Sequence, residues 1–163
     1  MKRIGLLSDT HGYWDEKYVE YFKDCDEIWH AGDVGSLDIL DRLSKIKPLR
    51  AVAGNIDDAK VRVSYPDPKR FTVEGIDVFM THIGGYPGRY APNVLNIMRY
   101  NPPQLFICGH SHILKVMFDK KHNCLTINPG AAGKYGFHKV RTLIRFCLDN
   151  GNIKDLEVIE LAN

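Results

Sequence analysis

The sequence predicts an α/β fold in which two packed β-sheets are flanked by helices. In the first third of the chain, short apolar runs alternate with helix-like segments, which is typical of a parallel sheet with crossover helices. The second half is rich in strand-like runs joined by turns, which indicates a second sheet. The 163 residues suit one domain, which we place at 1–163, and can bury a core without disulfides.

The predicted parallel part contains three strands and two helices. The strand-like runs are IGLL, EIWHAGD and LRAVAGN at residues 4–7, 27–33 and 49–55. Residues 16–24 can form an amphipathic helix with its apolar side chains on one face. Residues 36–46 show the same helical spacing, with Ser36 as the predicted N-cap and Pro48 beyond the end.

The pattern of the second half predicts seven strands and one short helix. Residues 70–82 read as two strands around a Glu-Gly turn, and 93–100 as a helix stopped by two prolines. The remaining predicted strands are residues 105–110, the pair 115–119 and 124–128 around a polar turn, and two strands within 141–161 around an Asn-Gly turn.

Composition restricts the classes of partner and compartment. The formal net charge of +2 is too small to argue for a nucleic-acid or membrane partner. The four cysteines form no CxxC pair, so reduced thiols in a cytoplasmic protein are the simplest interpretation. No apolar stretch has the length of a signal peptide's core or of a membrane span. Self-association remains open.

Five apolar runs each end in side chains that can bind a metal ion. These candidate ligands are Asp9, His11, Asp33, Asn55, His82, His110 and His112. Because ligands bind at the carboxyl ends of strands in open α/β sheets, we expect these side chains to converge. Glycines directly before Asp33, Asn55 and His110 would let the backbone approach closely.

The donor set indicates two transition metal ions. Two carboxylates, one amide oxygen and four imidazoles are too many for one four-coordinate zinc ion, and imidazoles argue against magnesium or calcium. An aspartate can bridge two cations. A single Asp or Asn at a strand end is usually a turn former or a helix cap, but seven coordinating residues at five strand ends are hard to explain in that way.

The order of these motifs resembles the calcineurin-like metallophosphoesterase superfamily. The chain contains DxH at Asp9 and His11, GD at Asp33, GN at Asn55, then His82, then GHxH from Gly109 to His112. Short length and the later Asn-Pro-Gly at 128–130 are similar to the small bacterial and archaeal phosphodiesterase branch, which shares its fold with the retromer scaffold subunit. The resemblance implies a four-layer αββα sandwich of two mixed β-sheets flanked by helices.

The resemblance also implies a role for each ligand. Asp9, His11 and His112 would hold one metal ion. Asn55, His82 and His110 would hold the other, and Asp33 would bridge the two. We therefore expect two divalent transition metal ions, with Mn²⁺ preferred over Ni²⁺, Co²⁺, Fe²⁺ or Zn²⁺, and expect Asp33, Asn55 and His110 to matter most for catalysis.

The implied activity is phosphoester hydrolysis, and a phosphodiester is the favoured substrate. Two metal ions can lower the pKa of a bridging water to about 7, and the hydroxide would attack phosphorus. Many family members continue the GN motif with a histidine, whereas this chain has Ile56, which cannot donate a proton. We therefore expect a preference for small diesters or nucleotides with good leaving groups.

Two alternatives stay open, along with several secondary residues. A binding scaffold of the same fold is one alternative, and a phosphomonoesterase or nuclease is the other. The secondary residues are Asp57 or Asp58 as a partner of a ligand, Arg89 and Tyr90 as substrate contacts, His30 as structural, and His122 and His138 as surface residues.

Overall fold

The structure is a computed structural model that describes residues 1–162, and it contains two mixed five-stranded sheets. The first sheet is formed by β1 (Lys2–Leu7), β2 (Glu27–His30), β3 (Leu49–Ala51), β9 (Arg141–Asp149) and β10 (Asn152–Leu161). The second is formed by β4 (Lys69–Val73), β5 (Ile76–Met80), β6 (Leu105–Ile107), β7 (Leu114–Asp119) and β8 (Cys124–Pro129). The helices are α1 (Glu16–Phe22), α2 (Leu37–Ile46), α3 (Ala59–Ser64) and α4 (Pro92–Tyr100).

Each sheet has a parallel centre. In the first, the order is β10-β9-β1-β2-β3, and β1, β2 and β3 run parallel. In the second, the order is β4-β5-β6-β8-β7, and β5, β6 and β8 run parallel. Antiparallel strands complete both sheets. The carboxyl ends of β1, β2, β3, β5 and β6 carry the predicted ligands, so the topology fixes where the site can form.

Three apolar layers hold the four structural layers together. Ile4, Leu6 and Trp29 of the first sheet pack with Met80 and Ile107 of the second in a core between the sheets. Helices α1 and α2 cover the outer face of the first sheet, and α4 covers the outer face of the second. The parallel strands are buried on both faces, which explains their nearly continuous apolar sequences. The αββα sandwich predicted from the sequence is confirmed.

The helix starts follow local side-chain chemistry. Ser36 accepts a hydrogen bond from the Asp38 N–H at 3.2 Å, so the predicted N-cap of α2 is confirmed. Asp15 caps α1 in the same manner, and Pro92 occupies the first turn of α4. Helix α3 was not predicted, since six residues are too few to show a helical period. Within residues 1–162, no helix is both long enough and apolar enough to cross a membrane.

Candidate metal centre

The seven predicted ligands meet at one rim of the sandwich. Asp9 and His11 follow β1, Asp33 follows β2, and Asn55 follows β3. His82 follows β5, while His110 and His112 follow β6. The first sheet therefore contributes four of these side chains and the second contributes three, so the cluster lies across the junction between the two sheets.

The histidines and carboxylates form two groups that touch at Asp33. Asp9, His11 and His112 bring their candidate ligand atoms within 4.8 Å of one another, and so do Asp33, His82 and His110. Oδ2 of Asp33 lies 3.2 Å from Nε2 of His82 and 3.5 Å from Nε2 of His11. One carboxylate oxygen thus faces an imidazole of each group, which is the arrangement expected of a bridging ligand.

Asn55 joins the second group. Its Oδ1 lies 3.1 Å from Nδ1 of His110, so the amide oxygen and the imidazole nitrogen are close enough to bind one ion. Both side chains are exposed, whereas Asp33 and His82 behind them are buried. The outer edge of the second group is therefore open to solvent.

Each carboxylate has one oxygen fixed by the protein and one directed at imidazoles. Oδ2 of Asp9 accepts hydrogen bonds from the Ser8 hydroxyl at 2.7 Å and the His110 N–H at 3.2 Å. Its Oδ1 faces Nε2 of His112 at 3.4 Å. Oδ1 of Asp33 likewise accepts the Ile56 N–H at 3.1 Å, which leaves Oδ2 for the histidines. The protein pre-orients both carboxylates toward the centre of the cluster.

Several buried polar atoms at the centre lack a protein partner. Asp9 Oδ1, His11 Nε2 and His82 Nε2 have no hydrogen-bond partner among residues 1–162. The Nδ1–H of His82 donates to the Ala31 carbonyl at 2.7 Å, so its Nε2 carries the lone pair that points at the carboxylates. Lone pairs that face carboxylate oxygens in a buried site are stabilised by a positive charge between them, which a proton or a metal cation can supply. The donor set therefore fits divalent cations.

The electrostatics of the titratable groups agree with this arrangement. Burial alone would lower the pKa of His82, but the carboxylates of Asp33 and Asp9 raise it above its ordinary value. The Asp9 carboxylate, whose Oδ1 lies 3.4 Å from Nε2 of His112, raises the pKa of that histidine. For His11, burial dominates and lowers the pKa. Burial opposes ionisation of Asp33, yet His82 and the Ile56 N–H lower its pKa, so that carboxylate is held in its charged form.

The backbone at the ligands is strained. Asp9, His11, Asp33, His110 and His112 all have positive φ angles, between 45° and 75°. Non-glycine residues in this left-handed region cost about 1–3 kcal/mol each and cluster at functional sites. The fold maintains this geometry at five of the seven candidate ligands, and a turn-forming role for single residues does not explain that concentration.

All three predicted glycines are required for space, as two of them illustrate. A side chain at Gly54 would collide with the main chain and carboxylate of Asp33, and one at Gly109 would collide with the Ser8 hydroxyl and the Asp9 carboxylate. In both cases the missing Cβ lets one strand end approach the ligand of the neighbouring strand end. The sequence expectation of close backbone approach is confirmed at these positions.

Asp57 connects two of the ligand-bearing segments. Its buried carboxylate accepts main-chain N–H bonds from Val34 at 3.1 Å, Gly35 at 2.9 Å and Gly54 at 2.7 Å. These donors flank Asp33 and Asn55. The sequence named Asp57 and Asp58 as equal candidates for such support. The structure distinguishes them, since Asp58 instead caps α3 through the Val61 N–H.

His30 supports the same region and is not a member of the cluster. Its Nδ1 accepts the Gly32 N–H at 3.0 Å, so its Nε2–H donates to the Thr10 hydroxyl at 3.0 Å. Burial lowers the pKa of His30 to about 4, which keeps the ring neutral. The Asn128 amide supports the opposite side of the site by donating to the Gly109 carbonyl at 3.0 Å and the Ser111 hydroxyl at 3.1 Å.

Two other residues stand closer to the centre than the sequence indicated. Tyr135 stacks on His11 with ring centroids 4.8 Å apart, although 69% of its surface is exposed. His138 packs edge-on against His112 at 5.3 Å, and its Nε2–H donates to the Gly133 carbonyl. No local pattern marks this loop, because its ring contacts with His11 and His112 join positions more than twenty residues apart in sequence.

Other expectations require correction. His122 is not a solvated turn residue, since its Nδ1–H donates to Asp119 at 2.8 Å and its side chain is mostly buried. The nuclease alternative rests on four basic residues close together in sequence, Lys134, Lys139, Arg141 and Arg145. Of these, Arg141 is 1% exposed and pairs with Asp15 at 2.8 Å. The aromatic residues Tyr13, Trp14, Tyr18 and Tyr21 could form an interface for self-association. Of these, Tyr18 is fully buried in the helix–sheet core.

Comparison with known proteins agrees with this geometry. The family model described as the Calcineurin-like phosphoesterase superfamily domain matches residues 1–151. A protein of Methanothermobacter thermautotrophicus named "Probable metallophosphoesterase" is 29% identical over 133 residues, which cover 78% of this chain and 76% of that protein.

Solved structures share the complete fold. The solution structure of a Thermotoga maritima protein has a TM-score of 0.71 and 26% identity, and the match covers 99% of this chain and 100% of that one. The crystal structure of Chaetomium thermophilum Vps29 has a TM-score of 0.75 at 15% identity, covering 99% of this chain and 97% of that one. At 15% identity, the match to Vps29 shows a shared fold and nothing about function.

Proposed function

This chain belongs to the calcineurin-like phosphoesterase superfamily, and on that premise we propose that it is a phosphodiesterase that works with two divalent metal ions. The observation that carries the proposal is the contact of both ligand groups with one oxygen of Asp33. The unpartnered buried atoms of Asp9, His11 and His82 add independent support.

The ligand assignment follows the two groups. Asp9, His11 and His112 would hold one ion. Asn55, His82 and His110 would hold the other, with Asp33 between them. The mixture of imidazole nitrogen and carboxylate or amide oxygen suits Mn²⁺, our first choice, and also Ni²⁺, Co²⁺, Fe²⁺ and Zn²⁺. When bound, the two ions would supply a water of lowered pKa and neutralise charge on the phosphoryl oxygens.

The protein's own groups position the reactants. The Ile56 N–H and the Ser8 hydroxyl hold one oxygen of each carboxylate, so the other oxygens stay directed at the centre. The exposed edge formed by Asn55 and His110 leaves room for the phosphate. In hydrolysis, a water oxygen forms the new bond to phosphorus while the bond to the leaving oxygen breaks. The products are a phosphomonoester and an alcohol.

The identity of residue 56 favours diesters with good leaving groups. Ile56 stands beside Asp33 with 49% of its surface exposed, and its side chain can neither donate a proton nor bind an anion. An aryl oxide leaves without protonation, whereas an alkoxide needs a general acid. A phosphodiester also carries one negative charge fewer than a fully ionised monoester. It therefore suits a site in which residue 56 is not a cationic side chain.

A side-by-side hydrolysis assay tests the proposal. Metal-stripped protein is reloaded with Mn²⁺ and given bis(p-nitrophenyl) phosphate and p-nitrophenyl phosphate. We expect faster turnover of the diester, and loss of that turnover in Asp33→Ala and in His110→Ala. Tyr100→Ala, an exposed residue at the end of α4 and away from the ligands, is the matched control that should keep turnover. Preference for the monoester would refute the diesterase assignment.

A binding scaffold is the second candidate. Vps29 has the same fold, and strand β7 exposes Val116, Met117 and Phe118 at the edge of the second sheet. Exposed apolar side chains on an edge strand can bind another chain. Absence of turnover with metal bound, together with self-association that Phe118→Glu abolishes, would favour the scaffold.

The remaining assignments are also proposals. We place the protein in the cytoplasm, because its four cysteines are free and buried, as thiols are in reducing compartments. We assign it a small phosphodiester or nucleotide as substrate. Neither a membrane nor a nucleic-acid partner belongs to the proposal, since the stretch that suggested a nuclease contains the buried Arg141. A homo-oligomer remains compatible with it.

A further inference from the structure

A cavity of about 370 Å³ opens directly beside the second ligand group. Its lining includes His110 and Ser111 together with residues of the loop between β5 and α4. Phe106 and Cys108, both buried, form part of its lining. A separate cavity of about 630 Å³ lies on the other flank of the same histidines, against Phe137 and His138. The GHxH segment is therefore a ridge between two cavities.

This arrangement matches the shape of a diester better than that of a monoester. A phosphodiester has two organic arms on one phosphorus, and a phosphate held at the ligand groups would extend one arm to each side of the ridge. His110, Ser111 and Ile113 line both cavities. The Ser111 hydroxyl accepts hydrogen bonds from the Ile113 N–H at 3.2 Å and from Asn128 at 3.1 Å, and neither bond uses its own O–H.

The smaller cavity has the lining of an aromatic site. Tyr86, Tyr90 and Phe106 contribute rings, and Ile83 and Ile113 contribute aliphatic surface. Cavities of this size and apolar lining typically bind one small organic group. Tyr90 is fixed by its hydroxyl, which donates to Asp119 at 2.7 Å, and packs against Phe106 at 5.9 Å between ring centroids. The cavity is therefore pre-formed on this side.

The charges around the smaller cavity favour an anion. Arg89 and Lys115 line it, and among the described lining residues there is no Asp or Glu. The ammonium of Lys115 lies 3.7 Å from the ring centroid of Tyr86, a cation–π contact that places both side chains at the rim. The positive charge attracts the phosphate, while the apolar interior accommodates the ring that the phosphate carries.

We infer that this cavity binds an aromatic arm of the substrate, so that the preferred diester carries a planar ring such as an aryl group or a nucleobase. The inference rests on the proposed diesterase function. It assigns Tyr86 and Arg89 as specificity residues, and it gives a role to the loop Gly84–Tyr90, which lies outside the ligand set.

Binding of phenylphosphonate and methylphosphonate tests the inference without turnover. The two anions share the phosphonate group, differ in the ring, and contain no ester to hydrolyse. Protein supplied with Zn²⁺, which is diamagnetic, is titrated with each and followed by ¹H–¹⁵N NMR. We expect phenylphosphonate to bind about tenfold more tightly, from the burial of one ring, with shifts at the amides of Gly85, Arg89 and Ile113.

Matched variants locate the ring. Tyr86→Ala should reduce the advantage of phenylphosphonate to less than about threefold, whereas Phe137→Ala, which removes an exposed aromatic from the other flank, should keep it. The opposite pattern, or equal affinity of both anions for the wild type, would overturn the inference. Ring binding in a protein that hydrolyses no diester would support the ligand site and refute the proposed function.

Discussion

Asp57 accepts three main-chain hydrogen bonds from the two segments that carry Asp33 and Asn55, so its removal should weaken both the fold and the centre. In Asp57→Ala, the Val34 and Gly54 N–H groups remain buried without an acceptor, while Gly35 is exposed and can turn to water. Two buried unsatisfied donors at about 1–3 kcal/mol each give a loss of roughly 2–6 kcal/mol in the free energy of unfolding.

Two further variants make this expectation specific. The Val34 and Gly54 bonds both end on Oδ2 of Asp57, so Asp57→Asn can keep them and lose the Gly35 bond, at a cost of about 1 kcal/mol. Asp58→Ala is the matched control, because this neighbouring aspartate only caps α3 and its loss should cost about 1 kcal/mol.

Urea unfolding followed by circular dichroism measures the three stabilities, and equilibrium dialysis measures Mn²⁺ affinity. Loss of such supporting contacts typically reduces metal affinity by about 10–100-fold, and we expect this for Asp57→Ala and not for Asp58→Ala. If Asp57→Ala destabilises the protein no more than Asp58→Ala, the assigned supporting role is wrong.

Three further predictions concern metal, pH and the leaving group. Adding Mn²⁺ at about 100 times its Kd should stabilise the wild type by about 2.7 kcal/mol. In a thermal scan Asp33→Ala should gain far less, and an equal gain would place the ions elsewhere. Because burial lowers the pKa of His30 from 6.5 to about 4, the unfolded chain binds the proton first. Stability should therefore be complete above pH 6.5 and fall by about 3 kcal/mol toward pH 4. Urea titrations of His30→Gln at several pH values should lack this loss of stability between pH 6.5 and pH 4. An unchanged pH dependence would contradict the role assigned to His30. Ile56→His should raise turnover of alkyl diesters on the order of 100-fold through proton donation, whereas Ile56→Leu should give no such gain. An unchanged alkyl rate in Ile56→His would refute the assigned cause.

Strand-end residues were the part of the site that the sequence could predict. Parallel strands bring their carboxyl ends to one edge, so Asp33 after one strand and Asn55 after the next must become neighbours. The alternation of apolar runs and helices likewise predicted the layers, because each run is buried on two faces. The convergence therefore follows from topology, and topology is visible in the order of elements.

Supporting contacts were the part that the sequence could not predict. The bonds from Asp57 to Val34 and Gly35 connect positions 23 and 22 residues apart, and neither spacing belongs to a local motif. The burial of Arg141 depends on Asp15, which is 126 residues away in sequence. Periodicity reports which face of an element is apolar, but it does not report which polar side chain from another element will meet it.

The candidate metal centre lies across the junction of the two sheets, so it also connects the two sheets mechanically. Asp9 of the first half is bonded to the His110 N–H of the second, and Asp33 faces His82 from the opposite sheet. Neither half of the chain holds enough donors to bind both ions alone. A cation bound here would connect the two sheets. Its binding should therefore slow hydrogen exchange of main-chain amides on both sides of the junction together. Loosening of the interface between the sheets would in turn release the ions before either sheet unfolds.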